Sequence, residues 1–184
     1  IQSLAYFDVL TGLPNRTLLH DRLGQLIAES HRDEHKFALL FIDLDRFKYV
    51  NDSMGHAVGD KLLQVVALRL QECVREVDTV SRISGDEFIV LLRETDASGA
   101  ARVAGKILKA MTTPCDVGTM QIATHASIGI SIYPDNADSE DEINTLIKHA
   151  DVAMYRVKAE GRSNFLFFCA GNEFPCPSIV FYGK

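Results

Sequence analysis

The sequence contains few cysteines and no arrangement of them that would bind zinc. The 184 residues include no Cys-x-x-Cys pair, and the two histidines four positions apart, His31 and His35, have no such cysteine pair to complete a zinc site. This excludes the common zinc sites built from residues close in sequence. We expect all four cysteines to be reduced thiols: Cys73, Cys115, Cys169 and Cys176.

Long apolar runs are also missing. No stretch approaches the roughly 18 apolar residues of a membrane-spanning helix, and the first residues lack a basic segment followed by an apolar signal core. We therefore expect a cytoplasmic domain that makes no membrane contact. Because the chain begins at Ile1 rather than at a methionine, we also expect it to be a piece of a longer protein.

Basic residues are outnumbered by acidic ones. The chain has 19 Lys and Arg against 25 Asp and Glu, for a net charge of -6. This balance predicts no bulk attraction to nucleic acid or to anionic membranes. A ligand that carries phosphate must therefore meet a local cluster of cations or a metal ion.

The sequence does contain enough apolar residues for one folded domain, with 47% hydrophobic and 24% charged residues. Apolar spacings of three and four predict helices, short apolar runs predict strands, and Gly85-Asp86 predicts a tight hairpin. Their order predicts an α+β fold with a mainly antiparallel central sheet covered by helices. The predicted helices span 15–30, 56–74, 98–111 and 141–160, and the predicted strands span 37–43, 79–83, 88–92, 114–117, 120–133 with a break at Gly129, and 164–168.

Two acids end the first predicted strand. Asp43 and Asp45 alternate with Leu44, so both carboxylates are expected on one face of the strand end. Like charges held close together repel unless a cation lies between them, and Mg²⁺ accepts one or two protein carboxylates. Two solvated acids at the end of a strand are the alternative interpretation.

The hairpin tip carries two further acids, Asp86 and Glu87, after Gly85, which lacks the side chain that would keep a ligand from the backbone. Gly-Asp is also an ordinary hairpin turn. If the hairpin pairs beside the Asp43 strand, its tip lies at the same edge and several acids converge.

Other polar groups have both a binding and a structural interpretation. Asn51 and Asp60 can meet the hydrogen-bonding edge of guanine, or Asp60 can simply favour a helix start. Lys158 and Arg162 can hold phosphates or complement the end of the last helix. Arg75 and Asp78, three residues apart, are otherwise a local ion pair.

Taken together, several segments closely resemble the GGDEF family of diguanylate cyclases, and the resemblance covers about residues 4–168. It implies a fold like the palm of nucleotide cyclases and polymerases, and a domain over residues 1–168 followed by a linker or tail over 169–184. The segments are Asp8-Val-Leu-Thr-Gly-Leu-Pro-Asn-Arg16, Phe41-Ile-Asp-Leu-Asp-Arg-Phe-Lys48, residues 51–60, Arg75-Glu-Val-Asp78, Arg82-Ile-Ser-Gly-Asp-Glu-Phe88 and Asp151-Val-Ala-Met-Tyr-Arg-Val-Lys158.

The resemblance implies that two GTP molecules are condensed to cyclic di-GMP and pyrophosphate with Mg²⁺ or Mn²⁺. It assigns metal binding to Asp43, the Leu44 carbonyl and Asp86, with Glu87 assisting the metal or deprotonating the attacking 3′-hydroxyl. It assigns the nucleotide to Asn51, His56, Asp60 and Gly85, and the phosphates to Lys48, Lys158 and Arg162. Arg75 and Asp78, with Arg82 as a contributor, resemble the family's inhibitory site for the product.

The resemblance also implies a homodimer, since each domain would hold one GTP, and fused sensory or EAL-type phosphodiesterase domains in the full protein. The sequence departs from the family where Ser84 replaces the first signature glycine. Because serine disfavours positive φ, we expect activity to be retained but weakened. The alternative is a regulatory module that binds GTP or cyclic di-GMP without turnover.

Overall fold

The computed structural model describes residues 5–170, and the rest of the predicted tail lies outside the described residues. The helices are α1 (Arg16–Asp33), α2 (Phe47–Met54), α3 (His56–Cys73), α4 (Ala97–Met111) and α5 (Glu142–Ala159). The strands are β1 (Phe37–Leu44), β2 (Thr79–Ser84), β3 (Glu87–Leu92), β4 (Cys115–Val117), β5 (Met120–Ile122), β6 (Ala126–Tyr133) and β7 (Phe165–Phe167).

Five strands form the central sheet in the order β2-β3-β1-β6-β7, while β4 and β5 form a separate hairpin. All neighbours in the sheet are antiparallel except β6 and β7, which are parallel. The predicted α+β fold with a mainly antiparallel sheet is therefore confirmed. The parallel pair makes the sheet mixed, because α5 crosses over from β6 before β7 begins.

Helices cover both faces of the sheet, and β1 explains why its sequence is a continuous apolar run. Ala38, Leu40 and Ile42 pack against α3 and α4, while Leu39 and Phe41, which alternate with them, pack against α1 and α5. A strand with helices on both sides needs apolar residues at every position. Side-chain caps begin three of these helices, at Asn15, Asp96 and Asp141.

The structure corrects two expectations about local structure. Residues 47–54 form α2, where a loop was expected around Asn51; this helix of eight residues buries only Phe47 and Val50 and is too short to show a clear period. The stretch 120–133 is divided into β5 and β6 between residues 122 and 126, and the predicted break at Gly129 is wrong, since Gly129 lies within β6.

The expectation of four reduced thiols is also corrected. Cys73 and Cys115 are buried free thiols, but Cys169 is disulfide-bonded. Spacing along the chain does not show which thiols meet in space. Within residues 5–170, none of the helices is long and apolar enough to cross a bilayer.

Candidate active site

The hairpin tip lies at the end of β1, as the sequence predicts. Strand β3 pairs directly with β1, so that Glu87 stands opposite Asp43, and the amide of Leu44 donates to the carbonyl of Asp86 at 3.3 Å. Gly85 has φ +42° and turns the chain at the tip, a conformation that an L side chain rarely adopts. The two acidic segments therefore meet at one edge of the sheet.

Ser84 fits the hairpin without backbone strain. Its φ is not positive, so the position does not need a glycine for its backbone conformation. Its hydroxyl is exposed and donates to Oε1 of Glu87 at 3.0 Å. Ser84 therefore orients one of the signature acids.

Asp43 and Asp86 form a strained acidic pair. Burial and the adjacent Asp43 carboxyl raise the pKa of Asp86 to about 7. Oδ1 of Asp43 is buried and has no hydrogen-bond partner, while Oδ2 accepts from Nζ of Lys158 at 2.6 Å. The Lys158 ammonium group is the one cation that interacts with the carboxyl groups of Asp43 and Asp86 within residues 5–170. One positive charge cannot balance two ionised carboxylates, so the pair is short of positive charge.

These residues fit a divalent metal ion. An unsatisfied buried carboxylate oxygen beside a second carboxyl is the environment in which a cation removes repulsion. Within residues 5–170 no three His, Cys, Asp or Glu side chains form a metal cluster, so the side chains that fit the ion are the two carboxylates of Asp43 and Asp86. Mg²⁺ is bound in this way when water and substrate phosphates complete its shell.

Asp45 does not join this pair. Its Oδ1 accepts from the hydroxyl of Ser127 at 2.7 Å, and its Oδ2 accepts from the amide of Ser163 at 3.1 Å. Both carboxylate oxygens are therefore bound to donors on β6 and on the turn after α5. Spacing along β1 alone does not distinguish this carboxylate from that of Asp43.

The residues predicted to contact guanine lie at the junction of α2 and α3. Asn51 is on α2, His56 begins α3 and Asp60 follows one turn later; Asn51 is half-buried, while His56 and Asp60 are exposed. Gly59 is buried beneath Asn51, since a Cβ on Gly59 would come within 1.9 Å of Oδ1 of Asn51. Gly59 is not among the residues predicted for this site, although a glycine inside an otherwise regular helix is the signal that could have identified it.

The three predicted phosphate ligands differ in their exposure and in their partners. Lys48, on α2, and Arg162, after α5, are exposed, and no ion pair with another residue of the described chain holds either of them. Lys158 is instead bound to Asp43. The structure thus leaves two predicted cations available to solvent and pairs the third with the acids.

Arg75 and Asp78 form a connected group on the other end of the sheet. The Arg75 guanidinium donates to both oxygens of Asp78 at 3.1 and 3.0 Å, and the Arg93 amide also donates to Asp78. The Asp78 side chain is 2% exposed and that of Arg75 57%. Both residues line a cavity of about 590 Å³ that Arg102 also borders.

Arg82, the predicted contributor to the group of Arg75 and Asp78, does not line that cavity. Its guanidinium binds both carboxylate oxygens of Asp8 at 3.1 Å and the carbonyl of Gly85 at 2.9 Å. Arg82 lies near the hairpin end of β2, whereas Arg75 and Asp78 precede the start of that strand. Arg82 therefore connects the N-terminal turn to the hairpin.

Comparison with known proteins agrees with this geometry. The family model described as "Diguanylate cyclase, GGDEF domain" matches residues 5–164. The chain is 45% identical over 165 residues to the bifunctional diguanylate cyclase/cyclic di-GMP phosphodiesterase MucR of Pseudomonas aeruginosa. This match covers 90% of the chain but only 24% of MucR, so the chain spans about a quarter of that relative.

Solved structures give the same result. The GGDEF domain of TpbB (YfiN) from Pseudomonas aeruginosa matches with a TM-score of 0.85 and 37% identity, covering 89% of this chain and 95% of that one. The GGDEF domain of DgcB from Caulobacter crescentus, solved in complex with c-di-GMP, matches with a TM-score of 0.80 and 26% identity, covering 89% and 93%. The family model, the relative and the folds agree, and this chain belongs to the GGDEF family of diguanylate cyclases.

Proposed function

We propose that this domain is a diguanylate cyclase that condenses two GTP molecules into cyclic di-GMP and two pyrophosphates. The observation that carries the proposal is the Asp43–Asp86 pair, which is short of positive charge and lies beside Lys158. Mg²⁺ or Mn²⁺, bound by Asp43, the Leu44 carbonyl and Asp86 with help from Glu87, would stabilise charge on the attacking and leaving oxygens.

The junction of α2 and α3 supplies the guanine contacts. The Asp60 carboxylate accepts from the N–H groups of guanine, and the Asn51 amide meets the adjacent acceptor and donor positions. His56 lies beside the nucleotide. Adenine presents an amino donor and an unprotonated ring nitrogen where guanine has a carbonyl and an N–H group, so Asp60 would be left without its full set of donors and ATP is rejected.

The cations and the hairpin tip hold the triphosphate. Lys48 and Arg162 are exposed and carry no ion pair within the described residues, so each is available to phosphate oxygens. Lys158, within 2.6 Å of Asp43, stands at the boundary between the acids and the phosphates. Gly85 has no side chain and lets the nucleotide approach the hairpin backbone.

Each reaction forms one phosphodiester bond between two GTP molecules, one held by each protomer of a dimer. The 3′-hydroxyl of one GTP attacks the α-phosphate of the GTP in the partner domain, and the bond to pyrophosphate breaks. The Glu87 carboxylate takes the proton of the attacking hydroxyl, and Ser84 holds that carboxylate in place. Because each domain holds one GTP, catalysis requires a homodimer, and two such reactions close the ring.

Product chromatography tests this proposal. The purified protein, held as a dimer, is incubated with GTP and Mg²⁺ or Mn²⁺, and the nucleotides are separated. We expect cyclic di-GMP and pyrophosphate in a molar ratio of one to two. GTP binding without cyclic di-GMP would leave the alternative, a regulatory module that binds nucleotide and controls a fused domain.

One contact favours that alternative, because Lys158 occupies Asp43, a proposed metal ligand. MucR is named both a cyclase and a phosphodiesterase and is about four times the length matched by this chain. We propose accordingly that the domain covers residues 1–168 and that residues 169–184 form a linker or tail. Fused sensory or EAL domains would then act on this domain. We place it in the cytoplasm, where GTP is available.

Gly59→Ala tests the guanine contact without touching a ligand atom. The added methyl group would displace the Asn51 amide, since its Cβ lies 1.9 Å from Oδ1 and 3.2 Å from Cζ of Phe47. We expect GTP binding to weaken about 10-fold, the effect of one lost hydrogen bond, while the helix stays intact because alanine favours it. Calorimetry with GTP measures this, and Gly24→Ala, which meets only Cδ1 of Ile143 at 3.7 Å, is the control.

Arg75→Ala tests the proposed inhibitory product site. Arg75 and Arg102 both line the 590 Å³ cavity, and their guanidinium groups can bind the phosphates of cyclic di-GMP. We expect at least about a 10-fold loss of cyclic di-GMP affinity by calorimetry, the effect of one lost charged hydrogen-bonding group. In this variant Asp78 still accepts the hydrogen bond from the Arg93 amide, so we expect the fold to be maintained. Arg32→Ala is the control, and equal binding by both variants would make Arg75–Asp78 a structural ion pair only.

A further inference from the structure

The turn between α5 and β7 has an unusual backbone. Three consecutive residues, Gly161, Arg162 and Ser163, have φ values of 118°, 66° and 50°. Glycine adopts positive φ at no cost, but arginine and serine do so only where surrounding contacts hold them. The turn therefore needs an external support, and it carries Arg162, a proposed phosphate ligand.

Asp45 provides that support. Its Oδ2 accepts from the backbone amide of Ser163 at 3.1 Å, and its Oδ1 accepts from the hydroxyl of fully buried Ser127 at 2.7 Å. The amide of Asp45 donates to the His125 carbonyl at 2.8 Å, which fixes the backbone of the aspartate as well. The carboxylate is thus held by β6 and holds the turn in its left-handed conformation.

The opposite end of the turn is held by the helix. The amide of Arg162 donates to the carbonyl of Val157 at 2.9 Å, so the turn is fastened on both sides of Arg162. The guanidinium itself is exposed, and it has no ion pair with a residue between 5 and 170. Asp45, Arg162 and Ser163 line a crevice of about 360 Å³ with Arg46 and Tyr49.

We propose that Asp45 is a positioning residue for the phosphate subsite, which fixes the Arg162–Ser163 turn so that the Arg162 guanidinium faces the triphosphate. The proposal rests on the proposed function, in which Arg162 binds a phosphate. Asp45 acts through Arg162 and does not bind the metal, because serine donors occupy both of its oxygens. The two aspartates of Asp43-Leu44-Asp45 therefore have separate tasks.

A double-mutant cycle tests the coupling between the two residues. Binding of a GTP analogue that cannot be cleaved between its α- and β-phosphates is measured by calorimetry for the wild type, Asp45→Ala, Arg162→Ala and the double variant. We expect both single variants to weaken binding about 10-fold, as one phosphate contact is lost in each. The double variant should bind no more weakly than Arg162→Ala.

The controls separate this inference from loss of stability. Asp141→Ala removes a carboxylate that caps the other end of α5, where it accepts from the amide and side chain of Asn144 at 3.3 and 2.7 Å. That position is about 26 Å from Lys158 along the helix, so its loss should lower the melting temperature but not the affinity. If Asp45→Ala does not fold, Asp45→Asn, which keeps the shape and one acceptor, enters the same cycle with a smaller effect.

The outcomes are distinguishable. No binding by the wild type would overturn the proposed function itself. Binding by the wild type that is unchanged in the Asp45 variants, or losses that multiply in the double variant, would overturn the positioning role of Asp45 while leaving GTP binding intact.

Discussion

Replacing Asp86 by asparagine is expected to abolish cyclic di-GMP synthesis and to make the metal-free protein more stable at neutral pH. Asparagine keeps the size of the side chain but removes the charge that binds a divalent metal, and we expect a rate loss of at least about 100-fold, since a bound metal contributes several kcal/mol to such reactions. Product chromatography measures the loss. GTP binding without metal should persist, because Asn51 and Asp60 are unchanged.

The stability gain depends on pH in a defined direction. The folded protein raises the pKa of Asp86 from 3.8 to about 7, so it holds this proton more tightly than the unfolded chain. The stabilising contribution is fully present below about pH 3.8 and is lost as the pH rises through about 7. We therefore expect the difference in melting temperature, metal-free wild type minus Asp86→Asn, to fall as the pH rises from about 3.8 to about 7.

Metal should reverse that trend in the wild type alone. Added Mn²⁺ should raise the melting temperature of the wild type above pH 7, where the acids are ionised, but not that of the variant. Asp116→Asn, an exposed acid on β4 that binds Gln121, is the matched control and should behave as wild type. Wild-type rates of synthesis in Asp86→Asn would contradict the role given to Asp86.

Replacing Gly129 by alanine is expected to have the largest effect on stability. A Cβ at Gly129 would lie 1.9 Å from the Ala150 carbonyl oxygen and 2.3 Å from the Met154 amide nitrogen. Both are backbone atoms of α5. Backbone atoms cannot rotate out of the way as a side chain can, so the whole helix must move away from β6. The buried contacts of Leu146, Ala150 and Met154 with the sheet would be broken.

We expect this variant to lose at least about 3 kcal/mol of unfolding free energy, the upper range for overpacking, or to fail to fold. Urea denaturation measures the loss. Gly24→Ala is the matched control, because its Cβ would make only an ordinary contact at 3.7 Å with Ile143 and alanine is the better helix former. A denaturation midpoint for Gly129→Ala equal to that of the control would contradict the packing argument.

The consequence of Gly129→Ala for the site follows from the same geometry. Lys158 and Arg162 lie at the end of α5 and immediately after it, so a helix displaced from the sheet carries both away from Asp43. Any fraction that folds should bind GTP weakly. Stability and ligand binding are thus linked through one glycine on β6.

Much of the fold was predictable from local patterns. The apolar run of β1, the periods of α1 and α3, and the Gly85-Asp86 turn are strong signals because each depends on residues close in sequence. The eight-residue helix α2 and the division of β5 from β6 were not, since short elements show no clear period and depend on packing. The parallel pairing of β7 with β6 likewise arises from the path of α5 over the sheet.

The sequence by itself determined the family and the α+β order of elements, and it indicated the residues proposed to contact guanine, phosphate and metal, because motif spacing and residue chemistry are local properties. Only the tertiary structure decided which contacts those residues make. Asp43 lies beside Asp86 and binds Lys158, whereas Asp45 binds Ser127 and Ser163. Arg82 binds Asp8, and Ser84 has no positive φ. These contacts join residues up to 118 positions apart, as between Asp45 and Ser163, and packing of the sheet and helices alone brings them together.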